Sequence, residues 1–357
     1  MYAVMTVGIP ELSEQNLVRF EQALPVLTDM VNRRFRLDCH YACVEVGTEE
    51  EELFFGFHDY FGRLLRAVFR YRLGDSLANE FGWYVSVMRS RNVADSYFAR
   101  MLDAWVMSIH SLIEPGDASM LALPLIELKA NLDGYLAVPA PAEPVLTSDQ
   151  SQFLALLLKR ERRSAAEFAV ALLGKGATPL QISERVILPV MTEVGRRWQL
   201  NRLGVTEEHA ATDICRYVVS RLFDAAACEA PNGQRALVSC APGEEHELGA
   251  QVMGNVLESR GWQVYLVGHN APENEILRAD AQTKPIAMLI SVSLVVNLPA
   301  ALHLVDALKA VNGQNHIVVG GRGTAPARDL FQTRGCPVAD DFEDGLRRAG
   351  EMAGKRA

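Results

Sequence analysis

The residues best suited to chemistry in this sequence are Glu244, His246 and Gly249, spaced as E-x-H-x-x-G. Imidazole is a strong ligand for transition metals, and a carboxylate two residues away can accept its second N–H, fixing the tautomer and raising basicity. Downstream, Ser293 and Val295 stand in SVSLVVN, and Gly320 and Gly321 open GGRG. A hydroxyl and paired small residues suit the wall of a narrow slot, and a glycine at 249 lets a ligand pass close to helix backbone. A second set lies upstream: Trp198, nine intervening residues, then Glu208 and His209. It offers an indole, a carboxylate and an imidazole at a corner between two helices. No G-x-G-x-x-G phosphate cradle follows the first strand of the segment, although GGRG by itself would also suit a phosphate group.

These residues need elements to hold them. From residue 234, β-branched apolar runs alternate with amphipathic ones: RALVSCAPG, WQVYLVGH, PIAMLISVSL, HIVVGGRG and CPVAD, each followed by a helical pattern. Five such units predict a doubly wound, flavodoxin-like parallel sheet over 234–357, with ligands beyond the carboxyl ends of its strands. His246, Ser293 and the glycine pair all fall at those ends. Residues 147–228 read as helix throughout and predict a four-helix bundle. Thr147, Ser148 and Asp149 open its first helix, Pro179 lies in a first turn, and Thr206 is the expected N-cap of the last helix. The stretch AVPAPAEPVL, residues 137–146, reads as a linker. Residues 1–136 read as an all-helical domain rich in aromatic side chains, so the fold class is α followed by α/β.

Bulk properties narrow the classes of partner. Of 357 residues, 49% are hydrophobic and 22% charged, with a formal net charge of −9. An acidic balance argues against direct nucleic-acid binding. No run approaches the length of a membrane span and no signal peptide is evident. Six cysteines without a pairing rhythm read as reduced thiols, so a cytoplasmic location is expected.

Taken in order, Glu244-x-His246-x-x-Gly249, Ser293 and Gly320–Gly321 resemble the D-x-H-x-x-G, S-x-L and G-G motifs of cobalamin-binding domains of the methionine synthase and mutase type. The resemblance implies His246 as lower axial ligand of cobalt, and Glu244, Gly249, Ser293, Val295, Gly320 and Gly321 as cofactor contacts. Two departures are glutamate for aspartate at 244 and Val295 where leucine is usual. Trp198-x9-Glu208-His209 is similar to the W-x9-E-H signature of the CarH/LitR group of light-responsive adenosylcobalamin-binding regulators, which also favours glutamate in E-x-H-x-x-G. That resemblance implies a bundle capping the upper face of the corrin, with Trp198 and Glu208 beside the adenosyl group. Gln199 departs from it, since the group carries histidine there, and His209 is the nearest alternative ligand.

CarH-type repressors place a MerR-like DNA-binding domain first. The aromatic helices standing there in this chain look like the photocobilins, which bind biliverdin next to cobalamin. On this likeness Trp83, Arg89, Arg91 and His110 are candidates for a bilin pocket, with Trp105 beside them. Competing polar residues are His40 and His58, and competing propionate partners are Arg63, Arg66 and Arg70. Haem is the rival cofactor, although Cys39, His40 and Cys43 do not form the C-x-x-C-H of covalent attachment. The expectation is a non-enzymatic photoreceptor that loses its adenosyl ligand in light, changes assembly as a homo-oligomer and signals to a downstream partner. A corrinoid methyl-carrier protein and a haem–cobalamin sensor are the alternatives.

Overall fold

The computed structural model describes residues 6–41, 48–312 and 316–354, and the chain forms two compact units, Met1–Ala140 and Pro141–Ala357. Cys43 and the side chain of His40 lie outside the described residues. The break falls inside the Pro/Ala-rich stretch, where proline removes backbone donors and stops any helix.

The first unit is built from α1 (Glu14–Tyr41), α2 (Thr48–Tyr71), α3 (Gly74–Ser90), α4 (Ser96–Leu112), α5 (Pro115–Ala130) and α6 (Leu132–Leu136). Its aromatics pack into a core: Trp105, Tyr84, Phe20, Phe61, Phe69, Phe81 and Phe98 are fully buried. Burying a side chain of that size contributes about 2–3 kcal/mol. Edge-to-face contacts between Phe20 and Phe69, and between Phe81 and Tyr135, each hold ring centroids at 5.0 Å. One polar chain crosses this core. Asn32 Oδ1 lies 2.7 Å from His58 Nδ1, and His58 Nε2 lies 2.9 Å from the Tyr97 hydroxyl, which also bonds the Tyr84 hydroxyl. With the amide oxygen as acceptor, Nδ1 carries the imidazole proton and Nε2 accepts from Tyr97. Burial pushes the His58 pKa down to about 4, so the ring is neutral near pH 7.

The second unit opens with the bundle: α7 (Ser148–Leu158), α8 (Arg162–Leu173), α9 (Pro179–Ile182), a π-helical turn at Ser183–Ile187, α10 (Leu188–Gln199) and α11 (Val205–Asp224). Thr147 caps α7 in a reciprocal capping box with Gln150, and Thr178 does the same with Gln181. The Gln150 side chain has a second task. Pro189 brings no N–H to the Arg185 carbonyl four residues back, and Gln150 Nε2 donates to that carbonyl at 2.8 Å. The N-cap of α11 is Gly204, not Thr206 as the sequence suggests. The Glu207 carboxylate reaches back to the Gly204 N–H at 2.8 Å, starting the helix earlier and leaving Thr206 in its first turn.

The sheet follows as β1 (Arg235–Cys240), β2 (Gln263–Gly268), β3 (Ala287–Ser291) and β4 (Ile317–Gly320). All pairs are parallel in the order β2-β1-β3-β4, with Val238 opposite both Leu266 and Leu289. Between and after the strands run α12 (Leu248–Ser259), α13 (Glu273–Thr283), α14 (Leu298–Asn312), α15 (Arg328–Thr333) and α16 (Phe342–Gly354). The expected fifth strand, CPVAD, is reduced to one parallel bridge between Val319 and Val338. Pro337 has no N–H to extend the ladder, although its carbonyl still accepts from Val319 at 3.0 Å. Bundle and sheet share one apolar core, in which Phe153, Ile187, Val190, Val218 and Val219 meet Val252, Val256 and Leu257.

Candidate functional site

The loop from the carboxyl end of β1 to α12 turns sharply, with the Glu244 N–H returned to the Ala241 carbonyl at 3.0 Å. That turn drives the Glu244 side chain fully inside, where its two oxygens face five donors. Oε1 accepts from the His246 backbone N–H at 3.1 Å and from His246 Nδ1 at 2.6 Å. Oε2 accepts from the Ser293 N–H at 2.8 Å, the Leu294 N–H at 3.0 Å and Asn297 Nδ2 at 3.0 Å. Burial pushes this carboxyl up, but the bonds from His246 and Asn297 outweigh it and hold the pKa at about 2.

An ionised carboxylate is an acceptor only, so the His246 proton sits on Nδ1 and the lone pair on Nε2. The His246 side chain is 53% exposed, and Nε2 makes no bond among the described residues. Such a ring suits a metal whose equatorial positions are filled by a macrocycle, which needs one protein ligand rather than a cluster. Among the described residues no group of three or more His, Cys, Asp or Glu is placed to hold a bare ion.

The small residues divide into two kinds. Gly321 has φ of +97°, and a Cβ there would stand 2.4 Å from the Val292 carbonyl oxygen, so glycine is required by the fold itself. Gly249, in the first turn of α12, is different: a Cβ there would meet nothing within 4 Å, leaving open space beside the helix. Ser293 is part-buried at the end of β3, and Val295 is buried in the 3-10 turn Val295–Asn297. Gly320 ends β4 opposite Ser291.

Two contributors escaped the sequence reading. Asn297 is buried and clamps Glu244 across the β3 end. Gly323 lets the GGRG segment close on β3, since a Cβ there would come within 2.9 Å of the Ser293 carbonyl carbon. Their signals were an amide three residues beyond Leu294, and the second spacing in G-G-x-G.

The residues expected to form a lid sit on the bundle. Trp198 is half-buried in the last turn of α10, and Gln199 beside it is buried. Three bonds brace that helix end: buried Glu193 accepts from Arg196 Nε at 2.6 Å and Nη2 at 2.8 Å, and from Arg197 Nε at 2.7 Å. The Arg196 bond is the larger of the influences that hold the Glu193 carboxyl below the usual range. Glu208 lies in the first turn of α11, where Oε1 accepts from Thr212 Oγ1 at 2.8 Å and Oε2 lies 2.7 Å from His209 Nδ1. His209 is 74% exposed.

In the first unit the bilin candidates are held by local partners. The Trp83 ring lies among Phe57 and Tyr60, with centroids at 6.3 and 6.1 Å. Arg89 donates to the Leu136 carbonyl at 2.7 Å and pairs with Asp95 at 3.0 Å, while Arg91 donates to the Val87 carbonyl at 2.9 Å. His110 is exposed in the last turn of α4. Arg63 pairs with Asp59, and Arg66 and Arg70 both face Glu21. Of the histidine candidates, His58 is the one described inside the aromatic core.

Comparison with known proteins agrees with this geometry. Residues 234–348 match a family described as B12 binding domain, and residues 150–223 match a second family of the same description. The chain is 32% identical to the HTH-type transcriptional repressor CarA of Myxococcus xanthus over 159 residues, 44% of this chain and 53% of that protein. To CarH of the same organism it is 32% identical over 111 residues, 30% of this chain and 35% of that one. It thus spans about half the length of CarA and a third of CarH. Among solved structures, a monomethylamine corrinoid protein of Methanosarcina barkeri superposes with a TM-score of 0.48 at 14% identity, covering 57% of this chain and 95% of that one. A cobalamin-binding protein of Desulfitobacterium hafniense gives 0.31 at 18%, covering 58% and 99%. The parallel-sheet segment and the capping bundle thus each match a B12-binding domain family, and the chain is similar over part of its length to the CarA and CarH repressors.

Proposed function

We propose that the chain is a non-enzymatic light sensor that binds adenosylcobalamin between its sheet and its capping bundle, with His246 as the lower cobalt ligand. The observation that carries this reading is the buried Glu244 carboxylate, which fixes the imidazole proton on Nδ1 and turns Nε2 outward. When bound, adenosylcobalamin supplies a photolabile cobalt–carbon bond. Glu244 keeps the His246 ring oriented with Nε2 outward, and the space beside Gly249 would admit the ligand's tail. Trp198 and Glu208 hold the upper group in the dark, and their contacts differ once that group has left. Such differential contact is what any ligand-driven change needs.

In the same reading the first unit binds biliverdin, which extends absorption to the red. Its support is the aromatic helices and the polar residues among them, with His58 now the strongest polar candidate. The output is a light-dependent change of homo-oligomeric assembly that a downstream protein senses, in the cytoplasm and without direct contact to DNA. Purification in the dark with adenosylcobalamin, then illumination, tests the core of the proposal. Binding with a histidine-ligated spectrum and a light-dependent shift in size-exclusion profile are expected. Failure to bind, or an unchanged spectrum and profile after light, overturns it. Separate incubation with biliverdin and haem tests the first unit, and a product dominated by a Soret band with haem alone refutes the bilin.

A further inference from the structure

The face between α11 and α12 is unusually polar for a contact inside a shared apolar core. Glu247, the residue after His246, bonds Arg216 of α11 through Oε1, and its Oε2 lies 3.8 Å from His269 Nε2. One turn further along each helix, Gln251 Nε2 donates to the Arg216 carbonyl at 3.1 Å and to Ser220 Oγ at 2.9 Å. Beyond these bonds the seam is incompletely paired. Gln251 Oε1 and Asn255 Nδ2, one helical turn apart on α12, are buried and have no partner among the described residues. A buried unpaired polar group costs about 1–3 kcal/mol, so this arrangement is not the one that maximises stability.

The same helix α11 begins with Glu208, two turns before Arg216 and therefore about 12 Å along the axis. One rigid element thus joins the lid residue to the turn that carries His246. Resting on the cobalamin reading above, we infer that the Arg216–Glu247 pair is the mechanical link between the lower-ligand turn and the cap, and that the underpaired seam beside it is the plane along which α11 shifts. Glu247 and Arg216 act as positioning residues, through their bond to each other. An apolar, fully packed seam would resist a shift as a close-packed interior does, whereas exchanging polar partners along a seam costs little.

The full-length protein and the variants Arg216→Met, Glu247→Gln and their double form the test, with Asn255→Leu as a separate arm. Hydrogen exchange of the α11 amides is read without ligand, with adenosylcobalamin in the dark, and after illumination, alongside the absorption spectrum. Wild-type α11 is expected to exchange at least fivefold more slowly once ligand is bound. In either single variant the spectrum stays histidine-ligated while that slowing falls at least threefold, and the double variant loses no more than one single. Asn255→Leu, which removes an unpaired donor, is expected to melt higher and to show a smaller light-induced change in α11. Additive losses, or ligand-dependent exchange equal to wild type in both single variants, overturn the link. A higher-melting Asn255→Leu whose α11 responds to light as wild type does overturns the slip plane. A wild-type protein that binds no cobalamin refutes the reading of the site, and the inference falls with it. A wild type that binds, responds to light and shows no role for Arg216 refutes the inference alone.

Discussion

Replacing Glu244 by glutamine changes one charge and no shape, yet it should disable the lower face of the site. The carboxylate has two oxygens, one facing two donors of His246 and the other facing Ser293 N–H, Leu294 N–H and Asn297 Nδ2. An amide has one oxygen, which the three donors on the β3 side will capture. Its NH2 group then faces His246 Nδ1, and two donors cannot share a bond. The imidazole must hand its proton to Nε2, the atom that has to be bare to ligate cobalt. The expected cost is a 10–100-fold loss of cobalamin affinity, or about 1.4–2.8 kcal/mol, with loss of the histidine-ligated spectrum. Stability should fall by only about 2 kcal/mol, because the three bonds to the sheet loops survive in neutral form. Glu244→Ala strands all five donors and should cost about 3–5 kcal/mol as well as the affinity. Titration of each apo-protein with cobalamin, followed by absorbance, and urea unfolding separate the two effects. A glutamine variant with wild-type affinity and spectrum would refute the tautomer argument.

Other expectations follow from single features of the structure. Gly249→Ala adds a methyl into open space, so the apo-protein should keep or slightly raise its melting temperature while cobalamin affinity falls at least tenfold. A variant that binds normally means that nothing of the ligand passes there. Gly321→Ala instead meets the Val292 carbonyl and an unfavourable φ, so it should lose about 2–4 kcal/mol even without ligand, read by thermal melting. Removing the Gln150 side chain as Gln150→Ala should cost about 1–2 kcal/mol, because the Arg185 carbonyl that Pro189 leaves unserved loses its donor. For His58, the folded pKa of about 4 lies below the ordinary 6.5, so the unfolded chain takes up the proton first as pH falls. The stabilisation is complete above about pH 6.5 and is lost towards pH 4, amounting to about 3 kcal/mol. His58→Gln should flatten that dependence in urea unfolding, and an equal slope in wild type and variant would show that His58 is not its source.

The parallel sheet was legible because buried β-branched runs alternating with amphipathic ones have few other solutions, and the motif residues fell at strand ends for the same reason. What escaped was whatever depends on partners distant in sequence. Asn297 looks like an ordinary turn amide until Glu244, 53 residues earlier, is seen to accept its bond. Thr206 is a good N-cap by type, but the Glu207 carboxylate gave the helix an earlier start at Gly204. CPVAD carries the composition of a strand, and a single missing N–H at Pro337 reduced it to a bridge. In the first unit, aromatic richness reported a core correctly but could not distinguish core from slot. Trp105 is packed in that core, while His58 is held in the interior by two partners on other helices, Asn32 of α1 and Tyr97 of α4.

The upper and lower faces of the site differ in how firmly they are held, and that difference bears on what can move. His246 is tied to a buried carboxylate that five donors fix, so the lower face cannot adjust without breaking several bonds at once. Glu208 is held by Thr212 as well as His209, but at 74% exposure His209 can leave its partner for water at little cost. Gln199, where the CarH pattern has histidine, is buried and offers only an amide, a poor ligand for cobalt. On the proposed reading, His209, now paired with Glu208, would be the residue to take the place of that histidine. That exchange would also unburden the first turn of α11, the end of the helix that Arg216 ties to the His246 turn. On that reading, a fixed lower anchor and a weakly held upper group joined through α11 would couple loss of the upper ligand to movement of the bundle.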